Sequence, residues 1–322
     1  LISSALRGNG PILLYLKHPR RNNPRQNNNS PNNLNRGQKN SLMKKMQKTI
    51  LITGCSSGIG LDAAMRLQRH GWLVLASCRR EADCVLLREK GLHSFVLDYA
   101  DSRSIQRGWK QAMDITGGKL DVLFNNGAYA LPGAIEDIPV AGLRENFEAN
   151  FFGWHELSCL ALKVMRAQEN GRILINSSVL GFAALRFRGS YNATKFALEG
   201  WADTLRLELA NSPIKIVLIE PGPIRTRIRI NSLPHFQKWI NWQASPLKRT
   251  YEEELIPRLN APEDGPKDRF ELPVSAVSDA VLHACTARQP KIRYRITTAT
   301  KLASLFKWAL PARLWDKLAV RL

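Results

Sequence analysis

Short apolar runs alternate with amphipathic stretches from Thr49 to Ile296, and this alternation limits the possible folds more than any other feature of the chain. Runs at 50–53, 72–77, 94–98, 121–125, 172–177, 215–220 and 292–296 are mostly β-branched or aromatic and show little in/out alternation, as strands buried on both faces do. Helical periodicity fills the gaps at 59–70, 81–89, 102–116, 140–169, 191–210 and 274–287. Strand-helix repetition of this kind predicts an α/β fold, a doubly wound parallel sheet with helices on both faces.

A chain of 322 residues with 44% apolar content can bury a large core. Its formal charge of +20 suggests a polyanion binder until it is divided along the sequence. Residues 1–48 hold ten Lys/Arg and no acid, hence +10; the rest holds 37 basic and 27 acidic residues, again +10. Half the excess therefore sits in an Asn-rich, low-complexity tail that cannot form a core and is expected to be disordered. That tail reads as a solvated extension, or as translated sequence upstream of Met43 and Met46. With no recognition motif elsewhere, nucleic acid is not an expected partner. The five cysteines (55, 78, 84, 159 and 285) are scattered, which indicates neither a disulfide framework nor a zinc site and suits a reducing, cytoplasmic setting. The six histidines are equally dispersed, and no metal is expected.

The first strand runs into TGCSSGIG, residues 53–60. A chain turning sharply from strand to helix needs Gly54 for the turn, Gly58 for close approach of a ligand to the backbone, and Gly60 for packing of helix on strand. The N-H groups at Ser57 and Ile59 then face outward at the positive end of a helix, which suits a pyrophosphate. At the end of the second strand, where an NAD site would carry Asp or Glu, the chain has Arg79 and Arg80. Guanidinium forks fit a 2′-phosphate, so NADP(H) is favoured over NAD(H); the alternative is a pair of solvated arginines flanking a helix.

Further on, YNATK places Tyr191 and Lys195 on one helical face. A phenol ordinarily titrates near 10. A neighbouring ammonium is expected to lower that value and fit the phenol for proton exchange with a carbonyl or alcohol oxygen. Ser178 follows the strand RILINS, at the end where open α/β sheets bind ligands. Its neighbour Ser177 is expected to point to the other side. Asn150, in EANFFG, is a poor helix former in mid-helix: either an ordinary polar position or a group that holds water near the lysine.

Taken together, TGCSSGIG, LDVLFNNGA, ANFFG, NSS, YNATK and EPGPIRT occur in the order seen in short-chain dehydrogenases/reductases, and the chain resembles the single-domain branch of that family over about residues 49–226, extending to 296. It is similar in particular to 17β-hydroxysteroid- and retinol-dehydrogenase-like members and to bacterial NADP-dependent aldehyde reductases. The resemblance implies a Rossmann-like domain with Tyr191 as general acid/base. Lys195 would tune it and bind the nicotinamide ribose, Ser178 would orient the carbonyl, and Asn150 would anchor a relay water. It also implies cofactor contacts from Gly54, Ser57, Gly58, Ile59 and Gly60, from Arg79 at the 2′-phosphate and Asp98 at the adenine, from Asn125 and Gly127 along the adenosine, and from Pro221, Gly222, Ile224 and Thr226 around the carboxamide. One departure stands out: the usual N-N-A-G is Asn125-Asn126-Gly127-Ala128, which puts alanine where a left-handed glycine would be expected and leaves the role of Gly127 open.

Residues 222–272 contain no clear strand and six prolines, with a seventh at 273, but Leu233, Phe236, Trp239, Ile240 and Trp242 recur at helical spacing. They read as a lid over an apolar substrate or as simple packing on the domain. Residues 298–322 carry an apolar stripe (Leu302, Leu305, Phe306, Ala309, Leu310), a break at Pro311, and a second set (Leu314, Trp315, Leu318, Leu322) rimmed by lysines and arginines. Such helices suit the surface of a membrane, a cap on the cleft, or a homodimer or homotetramer contact. The expected organisation is a tail (1–48), a dinucleotide-binding catalytic domain (49–297) and amphipathic C-terminal helices (298–322). The expected activity is NADP(H)-dependent reduction of an apolar aldehyde, retinoid or steroid-like ketone; the alternative is a catalytically silent NADP-binding regulator or scaffold.

Overall fold

The computed structural model describes residues 47–262 and 268–320; the expected disordered tail, apart from Gln47 and Lys48, lies outside them, as does Leu322. Seven strands form one sheet in the order β3-β2-β1-β4-β5-β6-β7, every pairing parallel. They are β1 (Thr49–Ile52), β2 (Leu73–Cys78), β3 (His93–Val96), β4 (Val122–Asn125), β5 (Arg172–Asn176), β6 (Lys215–Glu220) and β7 (Arg293–Arg295). The α/β expectation holds, with all seven strands located to within a few residues.

Alternation along β1 explains the two cores. Ile50 and Ile52 join Val74, Phe124 and Val281 on one face, while Leu51 joins Leu75, Leu123, Trp154 and Leu198 on the other. Helices α1 (Gly58–Arg69) and α8 (Ser275–Thr286) cover the first face. Helices α3 (Ser102–Thr116), α5 (Gly153–Ala167) and α6 (Gly189–Glu208) cover the second. The shorter α2 (Glu81–Glu89) links β2 to β3. Because β1 is followed in space by β2 on one side and β4 on the other, the chain direction of winding reverses there, and a crevice opens at the strands' carboxyl ends.

The predicted long helix at 140–169 is in fact two, α4 (Val140–Phe147) and α5, joined by a π turn at Glu148–Phe152 that contains Asn150. Inserting one residue into the helical ladder re-aims side chains, and such turns cluster at functional sites.

Between β6 and α8 the chain makes a helical excursion. Its ends are tied together: Leu272 donates its N-H to the Pro223 carbonyl at 3.1 Å and Arg225 donates to Leu272 at 3.0 Å. It contains α7 (Ile228–Trp239) and, further on, a π turn at Tyr251–Leu255. Phe236, Ile240, Tyr251, Leu255 and Leu259 form a third apolar cluster with Tyr129, Leu131 and Ala134. Tyr251 is buried with its hydroxyl satisfied on both sides: it accepts the Ala134 N-H and donates to Asp137, both at 2.7 Å.

The far edge of the sheet is held by charge. Glu220 on β6 is fully buried and accepts from Arg293 of β7 at 2.6 Å and from Arg295 at 3.2 Å. Arg293 also donates to Asp203 at 2.7 Å and to Glu199, both on α6. Beyond β7, α9 (Thr298–Ala309) and α10 (Ala312–Ala319) meet at Pro311, as the sequence predicts. Trp315 is buried, but Leu302, Leu305, Phe306, Trp308, Leu314 and Val320 are exposed. No helix among the described residues is long and apolar enough to cross a membrane.

Candidate active site

A cavity of about 1060 Å³ occupies the crevice. Its floor at one end is the glycine turn. Gly54 and Gly58 adopt left-handed backbone (φ +67° and +59°), which side chains other than glycine rarely tolerate. A Cβ on Gly54 would lie 2.5 Å from Gly127 Cα, and one on Gly60 would lie 2.3 Å from the Gly54 carbonyl oxygen. Ser57 precedes α1 in extended conformation without a side-chain cap, and the first turn of α1 contains no acid. Its N-H groups are therefore left for an anion. This cradle fits a dinucleotide.

Thr53 anchors the turn. Its hydroxyl accepts the Asn126 N-H at 2.9 Å and the Gly127 N-H at 3.1 Å, and lies within hydrogen-bond distance of Tyr99 Oη at 2.8 Å. Asn126 in turn donates to the Thr53 carbonyl at 2.9 Å and accepts from Asn176 at 2.8 Å. Neither Gly127 nor Ala128 has positive φ, so the swapped pair costs no backbone strain. Gly127 instead lies so close to Gly54 that its own Cβ would meet that backbone at 3.3 Å.

The two arginines after β2 separate in role. Arg80 is paired with Asp83 at 2.9 Å. Arg79 is exposed, lines the cavity and makes no ion pair among the described residues. Asp98, just past the end of β3, lines the same end and accepts the Ala100 N-H at 3.0 Å. Asn125 does not line the cavity. Its side chain turns into the core, accepting from Tyr99 at 2.6 Å and donating to Ser158 at 2.9 Å, and Asn126 stands at the cavity wall instead.

At the other end are Ser178, Tyr191 and Lys195. Ser178 follows β5 by two residues, and its Oγ accepts the Leu180 N-H at 3.1 Å. Ser177 points away, as its pleat predicts, and donates to Glu199. Lys195 is 1% exposed; its Nζ donates to the Asn176 carbonyl at 2.7 Å and lies 5.4 Å from the centre of the Tyr191 ring and 4.5 Å from that of Trp154. Burial pushes the Lys195 ammonium down to about 7, against an opposing pull from Glu199. Burial pushes the Tyr191 phenol up, and a hydrogen bond with Ser178 acts in the opposite sense. The expected lowering of the phenol by Lys195 is not the governing effect; removal of both groups from water outweighs it.

Asn150 is fully buried in the π turn. It accepts the Tyr129 N-H at 3.1 Å and donates to the Tyr129 carbonyl at 2.8 Å, so its side chain fixes the cavity wall rather than opening into it. Pro221, Ile224 and Thr226 line the cavity beside Gly58. Gly222 lines it too, but a Cβ there would also strike Thr297 Oγ1 at 2.1 Å, at the start of α9.

Three lining residues carry no signal in the linear sequence. His235 was one of six scattered histidines; α7 stacks it on Tyr129 with ring centres 3.6 Å apart. Tyr129 directly follows the N-N-G-A segment. Arg188, three residues before Tyr191, was legible only as a basic residue at a helix start.

A glycine cradle at the reversal of a parallel sheet, facing a buried Tyr-Lys pair across one cavity, defines a nicotinamide-dependent oxidoreductase, and the chain belongs to the short-chain dehydrogenase/reductase family. The family profile described as short chain dehydrogenase matches residues 48–235. The chain is 38% identical over 275 residues to the uncharacterized oxidoreductase YbbO of Escherichia coli (strain K12), covering 85% of this chain and 95% of that one. It is 30% identical over 278 residues to the NADPH-dependent 3-dehydrocapnine reductase of Ornithobacterium rhinotracheale, covering 83% and 94%. To the 17-beta-hydroxysteroid dehydrogenase type 6 of Rattus norvegicus it is 30% identical over 276 residues, covering 84% and 86%. A crystal structure of a short-chain dehydrogenase from Streptomyces avermitilis superposes with TM-score 0.68 at 24% identity, covering 85% and 98%, and bears out the fold.

Proposed function

We propose that the protein is an NADP(H)-dependent carbonyl reductase acting on an apolar aldehyde or ketone. The observation that carries the reading is the convergence of Ser178, Tyr191 and Lys195 at one end of the cavity whose other end is the glycine cradle. When bound, the nicotinamide supplies or accepts a hydride. Tyr191 donates its phenolic proton to the substrate oxygen, and Ser178 orients that oxygen by hydrogen bonding. Lys195 holds the nicotinamide ribose and supplies positive charge near the phenolate that forms. Asn150, bonded on both sides to the Tyr129 backbone, keeps the wall of the site in register and acts on the relay of protons only through that wall.

Gly54, Ser57, Gly58, Ile59 and Gly60 would hold the pyrophosphate, Asp98 and Gly127 the adenosine, and Pro221, Gly222, Ile224 and Thr226 the carboxamide. Arg79, uncommitted at the cavity mouth, would take the 2′-phosphate; a relative whose name specifies NADPH supports that preference. The 222–272 excursion serves as the lid, and Leu255, Leu259 and Ile228 give its cavity side the apolar character that the substrate must share. The exposed face of α9 and α10, with Trp308 85% exposed and lysines at 301, 307 and 317 beside it, favours peripheral contact of a cytoplasmic enzyme with an anionic membrane surface. Sedimentation with phosphatidylglycerol vesicles tests this contact, and a homodimer or homotetramer built on the same face would be seen as a change in elution volume instead.

The deciding experiment is NADPH oxidation with a panel of aldehydes and ketones, comparing wild type with Tyr191→Phe. Loss of the phenol should lower kcat by about 10²–10⁴ while NADPH binding, followed by fluorescence, persists. Undiminished turnover would remove Tyr191 from the chemistry. A protein that binds NADPH but turns over none of the panel would favour the silent-regulator reading.

A further inference from the structure

Arg188 stands in an arrangement that is costly for a cation. It is the N-cap of α6, where the helix presents its positive end. It is partly buried and lines the cavity. Among the described residues its guanidinium makes one hydrogen bond, to the carbonyl of its own neighbour Phe187 at 3.1 Å, and no ion pair. Two further guanidiniums of the cavity wall, Arg229 and Arg258, share the single carboxylate of Asp268 at 3.4 and 3.1 Å. Nearby Glu254 is taken by Arg186 at 2.8 Å, and Glu271 by Arg225 at 2.7 Å. Among the described residues, Arg188, Arg229 and Arg258 thus face the one carboxylate of Asp268. Burial first, then Arg258 and Arg229, pull the Arg188 guanidinium down to about 10.

The backbone is strained to hold this position. Phe187 has φ +57°, a left-handed conformation that is costly for an aromatic residue. It is pinned there by the Gly133 N-H donating to its carbonyl at 3.0 Å and by its ring meeting Tyr251 with centres 5.4 Å apart. A half-buried cation with no ion pair among the described residues, next to strained backbone, persists where something else compensates for it.

We propose that Arg188, with Arg229 and Arg258, anchors an anionic group of the substrate: the apolar carbonyl compound carries a carboxylate or sulfonate near its carbonyl. The proposal rests on the reductase reading for the position of that carbonyl. Arg188 and Tyr191 are separated by three residues, hence one helical turn on one face, so anion and carbonyl are joined by a short spacer. The apolar remainder of the substrate lies against Leu255 and Leu259. Bidentate guanidinium-carboxylate bonding gives the discrimination, because an uncharged analogue leaves the half-buried arginine without that partner.

The test compares 4-oxododecanoate with its methyl ester as substrates for NADPH oxidation. Wild type should prefer the acid by about ten- to a hundred-fold in kcat/KM, mainly through KM. Arg188→Gln should bring that ratio close to one, and Arg188→Lys should restore part of it, which a purely structural arginine would not do. A second readout is calorimetric titration of decanoate and decanesulfonate into protein saturated with NADP+, with decanol as the uncharged control. Should Arg188→Gln fail to fold, Arg229→Gln should still reduce the ratio. Equal use of acid and ester by wild type, or an unchanged ratio in the glutamine variants, overturns the proposal. If neither compound is turned over, the reductase reading fails while the anchor is still judged, since decanoate binding that depends on Arg188 supports it and binding indifferent to Arg188 sinks it.

Discussion

Replacing Lys195 with methionine should make the protein's stability less dependent on pH in a calculable way. The side chains have similar volume, so packing against Trp154 and the Tyr191 ring is largely kept. What changes is a buried proton-binding group. Its value near 7 in the folded protein compares with 10.5 for an ordinary lysine. Below pH 7 both folded and unfolded chains carry the proton, and the linkage is silent. Between 7 and about 10 the unfolded chain binds the proton and the folded one does not, so stability rises with pH by up to about 1.4 kcal/mol per unit. From pH 7 to 9 this single group contributes roughly 2 kcal/mol, a rise in Tm of about 3 °C for a chain of this size. The Met variant loses the hydrogen bond to the Asn176 carbonyl, a pH-independent offset of about 1–3 kcal/mol. The measurement is urea or thermal unfolding of both proteins at pH 6.5, 7.5, 8.5 and 9. The difference between the two curves cancels the other titrating groups and isolates Lys195. Curves that stay parallel across this range would refute the claim that burial governs the ammonium.

Arg79→Glu places a carboxylate where a 2′-phosphate would sit; NADPH affinity should fall at least ten-fold with NADH affinity unchanged or raised, as read by fluorescence titration. Gly60→Ala forces a methyl group to within 2.3 Å of the Gly54 carbonyl oxygen, so both dinucleotide affinity and Tm should drop. Tyr251→Phe leaves the Ala134 N-H and the Asp137 carboxylate without their shared partner. It should cost about 1–3 kcal/mol in unfolding free energy and raise KM for an apolar carbonyl as the lid loosens.

The sheet was legible because its strands are apolar on both faces and its helices amphipathic, a difference in period that needs no tertiary information. The glycine turn was legible for a related reason: only glycine tolerates the backbone at 54 and 58 and the contact at 60. Side-chain direction was harder. Asn125 and Asn126 are adjacent and identical, and only the pairing of β4 between β1 and β5 decides that the first enters the core and the second faces the cavity. The π turn at Asn150 leaves no trace in the periodicity because a single inserted residue shifts the pattern less than its natural scatter. Electrostatics were least legible of all. Tyr191 and Lys195 are four residues apart in any helix, but how far burial moves their pKa values depends on Trp154 and Asn176, which come from two other elements, and on Glu199, further along α6.

The Glu220-centred ion network at the sheet's last edge also decides where this protein can be cut. A fragment ending at residue 235, where the family profile stops, would keep the glycine cradle and the tyrosine yet forfeit both guanidiniums that neutralise a carboxylate sealed from water. Glu199, one helical turn beyond Lys195, would lose its counter-ion in the same stroke. The last strand, three residues long, thus acts as a fastener for the helix on which the proposed chemistry stands, and a minimal active domain cannot end before Arg295.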